Sequence, residues 1–418
     1  MNIARTRKAY KAIWSLIALM GATLQSSDNG ANPGGIYSFE NYPVDTTEID
    51  IYSQGITSID SDIKRLVKLE KLDLSVNNLE TLPPEIGELK DLKMLYLNGN
   101  ELGTLPPEIR RLEKLQCLYL RNNKLKLLPI EIGELKNLQA LDLNGNKLET
   151  LPAEIGELEN LQYLDLNGNE LETLPLEIGE LKNLRYLNLG NNKLGILSTV
   201  IKKLKNLEIL CLSNNEFELL PSEIVELEKL QCLYLHGNKL KLLPIEIEGL
   251  ENLQELDLNG NELETLPAVI WKLKNLKTLR FGYNKLETLP VEIVELEKLQ
   301  FLYLHGNKLK LLPIEIEGLE NLQELDLNGN ELETLPLEIG ELKNLKTLRL
   351  CYNKLETLPV EIGELSGSLQ FLDLRGNNIL EEGDGKRTLG KKELSEIFED
   401  RVVFDGVSHK DDSEAIIE

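Results

Sequence analysis

A 23-residue pattern that recurs along most of the chain constrains its fold more than any other feature. The pattern reads LEKLDLSVNNLETLPPEIGELKD from Leu69, restarts at Leu92, and returns in the same register until its thirteenth copy opens at Leu345. Burying the seven aliphatic side chains of one copy would contribute roughly 10–20 kcal/mol. Ordering its backbone costs at least as much, at about 1–2 kcal/mol per residue. One copy alone therefore cannot fold, and the copies must stack into one elongated solenoid.

The local pattern predicts the elements of each repeat. In the first copy, Leu72 and Leu74 alternate with polar residues, which indicates a strand with one buried face. Pro83 lacks an N–H group and ends strand pairing. Ile86 and Leu89 are three residues apart, so we expect a short helical turn with its apolar side inward.

These motifs resemble the leucine-rich repeat family. The unit L-x-x-L-x-L-x-x-N-x-L-x-x-L-P-x-E-I, with LPPEIGEL at residues 82–89, is most similar to the Ras-suppressor, Scribble and plant intracellular Ras-group class. Similar 23-residue units also occur in secreted proteins of some pathogens. The resemblance covers roughly residues 46–380. It implies an α/β solenoid, a horseshoe with a concave parallel β-sheet and short helical or 3-10 turns on its convex side, and it suggests binding without identifying a ligand.

An asparagine occupies the ninth position of every regular repeat, from Asn77 to Asn353, and recurs at Asn377. A turn beside a hydrophobic interior leaves backbone groups that need partners, and an inward amide can both donate and accept. We expect Asn238→Ala to destabilise the array by about 1–3 kcal/mol, the usual cost of unpaired buried groups.

The chain begins with a segment typical of a secretory signal. Residues 1–11 are basic, and residues 12–24 (AIWSLIALMGATL) are apolar but too short for a comfortable membrane span. We therefore expect a secreted or cell-surface protein with no membrane span in its mature chain. A cytoplasmic location is the alternative, with an amphipathic, disordered or mitochondrial leader. Cysteine-rich caps and N-x-Ser/Thr sequons are absent, which weakens the prediction of secretion.

The repeat boundaries predict the domain organisation. A leader at 1–24 precedes a polar linker and N-terminal cap at 25–45, where Ile36, Tyr37, Phe39 and Tyr42, with the divergent first unit, are expected to seal the first open end of the array. The leucine-rich repeats span 46–380, with a divergent first unit at 46–68, regular units at 69–368 and a last partial unit at 369–380. A helical C-terminal cap and an acidic tail fill 381–418, with Leu394, Ile397 and Phe398 on one helical face.

The net charge limits the kinds of partner. The formal charge is −24 with an isoelectric point near 4.7. Such a field repels nucleic acid and anionic membranes, which both require basic patches. It favours either solubility alone or attraction to a basic protein.

The predicted binding site lies on the concave face, where the third, fifth and seventh positions of each repeat point outward. An exposed aromatic and aliphatic strip there is typical of a protein-binding surface, and the alternative is that these residues only pave the sheet. We expect apolar exposure on this face rather than on the convex side, and loss of partner capture when Tyr163, Tyr186 and Ile209 become Ser. The predicted partner-binding residues are Met94, Tyr96, Tyr119, Tyr163, Tyr186, Ile209, Tyr234, Arg280, Phe301, Tyr303 and Arg349. We also expect Trp271, which lies in a turn segment rather than on the concave face, at the protein surface.

No catalytic motif accompanies the repeats. The sequence has no phosphate-binding loop, no H-E-x-x-H and no C-x-x-C. The four cysteines (Cys117, Cys211, Cys232 and Cys351) fall on outward strand positions, and we expect exposed free thiols there. We predict a non-enzymatic interaction module with a protein partner and with no cofactor, metal or small-molecule substrate. The alternative is an intracellular scaffold or adaptor in Ras-type signal transduction.

Overall fold

A computed structural model of the chain describes residues 35–384 and 386–405. The predicted leader at 1–24 and the tail beyond residue 405 lie outside these residues. The described chain forms two compact bodies. The N-terminal body comprises residues 35–217 and 226–230, and the C-terminal body comprises residues 218–225, 231–384 and 386–405.

Short strands, one in each repeat, form the main sheet of each body. In the N-terminal body they are β2 (Glu48–Asp50), β4 (Lys71–Asp73), β5 (Met94–Tyr96), β6 (Cys117–Tyr119), β7 (Ala140–Asp142), β8 (Tyr163–Asp165), β9 (Tyr186–Asn188) and β10 (Ile209–Cys211). In the C-terminal body they are β11 (Cys232–Tyr234), β12 (Glu255–Asp257), β13 (Thr278–Arg280), β14 (Phe301–Tyr303), β15 (Glu324–Asp326), β16 (Thr347–Arg349), β18 (Phe371–Asp373) and β20 (Val402–Val403). Two small ladders join β1 (Ile36–Tyr37) to β3 (Ser58–Ile59), and β17 (Leu358–Pro359) to β19 (Thr388–Leu389).

The strands of each main sheet pair in parallel and in chain order. Identical repeat positions face one another, so that Asp142 pairs with Asp165 and Tyr163 pairs with Tyr186. The third and fifth positions therefore form continuous rows across the sheet of each body. The predicted class, a leucine-rich repeat solenoid with parallel strands and short helical turns, is confirmed.

Short 3-10 helices return the chain from one strand to the next. They span Ser61–Arg65, Pro84–Glu88, Pro107–Arg111, Ile130–Glu134, Ala153–Glu157, Leu176–Glu180, Thr199–Lys203, Ser222–Glu226, Ile245–Gly249, Ala268–Lys272, Val291–Glu295, Ile314–Gly318, Leu337–Glu341, Val360–Gly367 and Glu399–Arg401. Within the described residues there is one α-helix, α1, which spans Lys391–Phe398. Across residues 35–384 and 386–405, every helix is too short or too polar to span a bilayer.

The repeat sequence explains why these turns are 3-10 helices. Pro83 precedes the first regular turn with extended dihedral angles (φ −69°, ψ 149°), and its ring fixes φ where the helix starts. The turn ends where the Leu89 N–H bonds to the Ile86 carbonyl, an i→i+3 bond. Both side chains are fully buried, as the sequence predicted.

The asparagine ladder is present in the described repeats. The Asn100 amide nitrogen donates to the carbonyls of Leu74 and Leu97, both at 3.0 Å. Its amide oxygen accepts the Leu79 N–H at 3.0 Å. The side chain thus satisfies backbone groups of its own repeat and of the preceding one, which links neighbouring repeats.

The divergent first repeat is packed like the regular ones. Its aliphatic residues Ile49, Ile51, Ile56, Ile59, Ile63 and Leu66 are all buried. Upstream, Phe39 is fully buried, whereas Ile36 is 71% exposed. Phe39 therefore covers the first repeat, and Ile36 contributes a strand but little core.

The prediction that Trp271 lies at the surface was wrong, because its side chain is only 3% exposed. Six of the other twelve regular repeats have Gly at this position. A Cβ atom added at Gly340 would lie 2.5 Å from the Glu361 carbonyl oxygen of the next turn. The position therefore points toward the next turn, and the apolar Trp271 ring is buried there.

The C-terminal end of the described chain adds α1 and strand β20. Leu394 and Phe398 are buried, and Val402 pairs with Leu372 of β18. Arg401 donates to the Ser366 carbonyl at 2.6 Å and holds this segment against the last repeat. The outer edge of β18, the last strand of the repeats, is thus paired with β20.

Candidate functional site

The candidate site is the strand face, which we define as the third, fifth and seventh positions of the repeats in each body. The fourth and sixth positions are leucines buried on the other side, for example Leu72 and Leu74. All eleven predicted partner-binding residues lie on strands, at the third or fifth position of their repeat. Their binding role remains a prediction.

Burial corrects the expected exposure of four predicted residues. They are Tyr119, Tyr186, Ile209 and Tyr234, each no more than 8% exposed. The half-buried ones are Met94, Tyr96, Tyr163, Arg280, Phe301, Tyr303 and Arg349. The cause is the strand spacing of about 4.8 Å, at which large neighbours cover one another. Tyr163 stacks on Tyr186 with ring centroids 4.5 Å apart.

A second stacked pair lies on the same face of the N-terminal body. Tyr96 and Tyr119 stack with centroids 4.9 Å apart and nearly parallel planes. They form an apolar cluster with Cys117, Ala140 and the half-buried Met94. Burial raises the pKa of Tyr96 to about 12, so its hydroxyl is neutral at physiological pH.

An acidic pair adjoins these rings. Burial first, and then the charge of Asp165 on the next strand, raise the pKa of Asp142 to about 6. Burial also raises the pKa of Asp165, against hydrogen bonds from the Asn167 N–H at 2.9 Å and the Tyr163 hydroxyl at 3.1 Å. Within residues 35–384 and 386–405, no basic side chain forms an ion pair with either carboxylate.

On the strand face of the C-terminal body, arginines or histidines lie beside several acids. Arg280 lies 3.9 Å from Glu255 and places its guanidinium 5.2 Å from the Tyr303 ring centroid. Arg349 pairs with Glu324 in the same way three strands further on. His236 Nδ1 lies 3.3 Å from Asp257 Oδ2, and His305 occupies the matching place beside Asp326.

The strongly exposed aliphatic residues lie off the strand face, which contradicts the expected distribution of apolar exposure. They flank the Leu-Pro step, or Leu197-Ser198 in one repeat, that opens each 3-10 turn. They are Leu127, Ile130, Leu176, Ile196, Leu219, Leu242, Ile245, Val291, Leu311, Ile314 and Leu337. The reason is geometric, because these side chains project sideways from a turn and no neighbouring ring covers them.

The cysteines also differ from expectation. They lie on outward strand positions, but all four are at most 8% exposed. Burial raises the pKa of Cys117 and raises that of Cys351 to about 12. The neighbouring strand residues cover these short side chains. In the described residues, no group of three or more His, Cys, Asp or Glu side chains can hold a metal ion.

Sequence reasoning missed two exposed tyrosines. Tyr283 and Tyr352 follow strands of the C-terminal body with φ of 51° and 54°, in the left-handed region. They are 67% and 72% exposed. Most repeats have Gly or Asn at this position, for example Gly306, because these residues adopt a positive φ easily. The presence of Tyr in their place could have identified both residues from the sequence.

Three family models match the chain. The model described as "Leucine-rich repeat region" matches residues 56–145 and 176–258. The model described as "Leucine rich repeat" matches residues 136–194, 251–309 and 320–379, and "Leucine Rich repeats (2 copies)" matches residues 297–339. None of the three names an enzyme. A search of curated protein sequences finds no match.

Solved structures show the same fold. A leucine-rich repeat protein of Leptospira interrogans is 42% identical with a TM-score of 0.80, over 86% of this chain and 89% of that one. The plant peptide hormone receptor RGFR1, solved in complex with RGF2, is 34% identical with a TM-score of 0.65 over 80% of this chain, which spans 59% of the receptor chain. An internalin of Listeria monocytogenes shares the fold at 22% identity and a TM-score of 0.64, over 72% of this chain and 86% of that one. The chain belongs to the leucine-rich repeat family, whose fold is typical of protein–protein interaction modules.

Proposed function

We propose that the chain is a non-enzymatic interaction module that binds a protein partner on its strand face. The main observation in support of this proposal is the half-exposed aromatic surface of the N-terminal body, where Tyr96 and Tyr163 each stack on a buried tyrosine. Rigid aromatic side chains provide contact area at low entropic cost and are enriched at binding hot spots. The repeat itself does not demand them, because the same positions hold Asp73 and Lys71 in the first regular copy.

The similarity to RGFR1 supports a peptide or protein ligand. That receptor was solved in complex with RGF2 and is 34% identical to this chain over the aligned region, which is 59% of the receptor chain. Repeat arrays provide extended surfaces suited to such ligands. The buried Tyr186 and Ile209 contribute packing beneath this surface rather than direct contact.

Photo-crosslinking tests the proposal on the full chain. A benzoylphenylalanine placed at Tyr96 or Tyr163 is expected to crosslink one and the same partner in an extract of the source organism. The control position is Leu176, which is 63% exposed on the turn side of the same body. Crosslinks that arise from Leu176 and from neither tyrosine would place the partner elsewhere and refute the proposal.

The purified partner then allows a quantitative test. Tyr163→Arg is expected to weaken binding by about tenfold or more, equal to about 1.4 kcal/mol, because the substitution removes a stacked ring from the surface. Leu176→Arg adds the same charge away from the strand face and is expected to leave affinity unchanged. Equal losses from both variants would indicate a general charge effect and count against the site.

We further propose that the chain is exported to the cell surface or beyond. The basic and apolar order of residues 1–24 supports this location. Mass spectrometry of the natural protein should find a mature N-terminus near residues 23–27. An intact N-terminus on a cytoplasmic protein would favour the alternative, an intracellular scaffold. The observation that supports this alternative is the resemblance of the repeats to the Ras-suppressor, Scribble and plant intracellular Ras-group class.

A further inference from the structure

The fifth positions of six successive strands form a symmetrical pattern on the N-terminal strand face. In chain order they are Asp50, Asp73, Tyr96, Tyr119, Asp142 and Asp165, which we call the Asp–Tyr–Asp row. Each residue pairs in register with the next. Two acidic pairs therefore flank one stacked tyrosine pair on a single surface.

The four carboxylates of the row are oriented alike. In each, Oδ1 accepts the backbone N–H two residues further along the chain, at 2.9 Å for Asp50, 2.8 Å for Asp73, 3.0 Å for Asp142 and 2.9 Å for Asp165. This bond fixes the carboxylate plane beside the strand. The acids are thus preorganised, which lowers the entropic cost of binding a ligand.

The basic side chains Lys71 and Arg121 lie on the same strand face as the row, at a third and a seventh repeat position. Among the described residues, none of the four carboxylates lies within an ion pair, whereas Glu255 and Glu324 on the C-terminal strand face each pair with an arginine. At the strand position where the C-terminal body has Arg280, the row continues from Asp165 to Asn188. In the described residues, Lys71 and Arg121 are therefore not ion-paired with the row, whereas arginines pair with acids of the C-terminal strand face.

The tyrosines of the row already hold a cation at one edge. Lys71 Nζ lies 5.8 Å from the Tyr96 ring centroid. Arg280 over Tyr303 repeats this arrangement in the other body. A basic side chain is therefore a chemically matched ligand for the rings as well as for the acids.

We propose that the Asp–Tyr–Asp row binds an extended, basic segment of the protein partner, with one cationic cluster over each acidic pair and an uncharged stretch over the tyrosines. The inference rests on the proposed function and specifies its partner. The centres of the two acidic pairs are four strand spacings, or about 19 Å, apart. An extended segment covers this distance with about five to six residues. The net charge of −24 steers a basic segment toward the chain.

A defined peptide tests this geometry. The probe is an octapeptide with an arginine pair at each end and four uncharged residues, one of them Phe, in between. Two control peptides contain either citrulline in place of every arginine, or all four arginines in one contiguous block. Binding to the full chain is measured by calorimetry near physiological ionic strength, where long-range attraction is screened.

Matched variants separate the row from general acidity. Asp142→Asn with Asp165→Asn is expected to weaken binding of the spaced probe by about tenfold. Glu149→Gln with Glu172→Gln removes the same charge from exposed positions of the same body and is expected to change affinity by less than about twofold. Circular dichroism verifies that both variants are folded. The citrulline peptide should not bind, and the contiguous peptide should bind several-fold more weakly.

Three results would overturn the inference. They are equal losses in both double variants, equal affinity for the spaced and contiguous peptides, and no binding of the spaced probe to the unmodified chain. If the chain bound spermine and the two double variants changed that binding in the same way, the row would be a site for a free polyamine instead. The crosslinking experiment is independent of these outcomes, so failure of the basic-segment inference leaves a strand-face partner testable, and failure of crosslinking removes both.

Discussion

Replacing Asp142 by Asn is expected to stabilise the folded chain at neutral pH. Burial, with the charge of Asp165 beside it, raises the pKa of Asp142 from 3.8 to about 6. Folding therefore disfavours the ionised carboxylate that is present at pH 7. An asparagine is neutral at every pH and retains an oxygen that can accept the Asn144 N–H, which Asp142 now binds at 3.0 Å.

The size and pH dependence of the gain follow from the two pKa values. A pKa raised from 3.8 to about 6 corresponds to about 3 kcal/mol, at about 1.36 kcal/mol per pKa unit. Part of the carboxylate remains accessible to solvent, so we expect a net gain of about 1–2 kcal/mol. Below pH 4 the group is protonated in both states and the gain vanishes. It grows as the pH rises and is complete above pH 6–7.

Urea unfolding followed by circular dichroism at pH 4, 5.5 and 7 measures this dependence. Asp373→Asn is the control of opposite sign. Although burial alone would raise the pKa of Asp373, the Arg375 guanidinium, with Nη2 at 2.6 Å, lowers it. The stability from that pair is present above the unfolded pKa and is lost as the pH falls through the lower folded pKa. Asp373→Asn should therefore destabilise the chain at pH 7.

Two results would refute this reasoning about Asp142. One is a loss of stability in Asp142→Asn at pH 7. The other is a gain of the same size at pH 4 and pH 7, which would show that packing rather than the buried charge determines the effect.

Three further variants test the fold. Asn146→Ala should lower stability by about 1–3 kcal/mol in urea unfolding, because the amide donates to the Leu120 and Leu143 carbonyls at 2.9 Å, and an unchanged midpoint would contradict the ladder. Trp271→Ala should cost about 3–5 kcal/mol in the same assay through the cavity it leaves, whereas a surface tryptophan would cost little. Val76→Gly should raise the melting temperature, with a gain of about 0.5–1 kcal/mol, because Val76 has φ of 58°, and a lower melting temperature would show that Val76 packing outweighs the strain.

The repeat made the backbone predictable from the sequence. Each strand and each turn follows from positions that recur every 23 residues, such as the alternation of Leu72 and Leu74 and the proline at Pro83. The ladder could be predicted for the same reason, because a buried turn must satisfy its backbone groups in every copy. The inward or outward direction of a strand side chain depends only on this local alternation.

The burial of particular outward residues was not predictable in this way. Tyr186 and Ile209 point away from the leucine core, yet each is only 2% exposed. Their burial depends on how neighbouring side chains lean, such as the Tyr163 ring that stacks on Tyr186. Trp271 follows the same rule, because its burial depends on the space between two turns. These are contacts between repeats, which the pattern within one repeat does not contain.

Asp142, which pairs with Asp165, connects the stability of the chain with the proposed binding of a basic segment. We expect ionised Asp142 to lower the stability of the folded chain while it supplies charge to the Asp–Tyr–Asp row, whereas Glu255 and Glu324 on the C-terminal strand face pair with Arg280 and Arg349. Departures from the best local choice are expected at functional sites. Asp142→Asn should therefore gain stability and lose affinity for the spaced basic peptide together. A variant that gained stability with unchanged affinity would show that this buried charge has no part in binding.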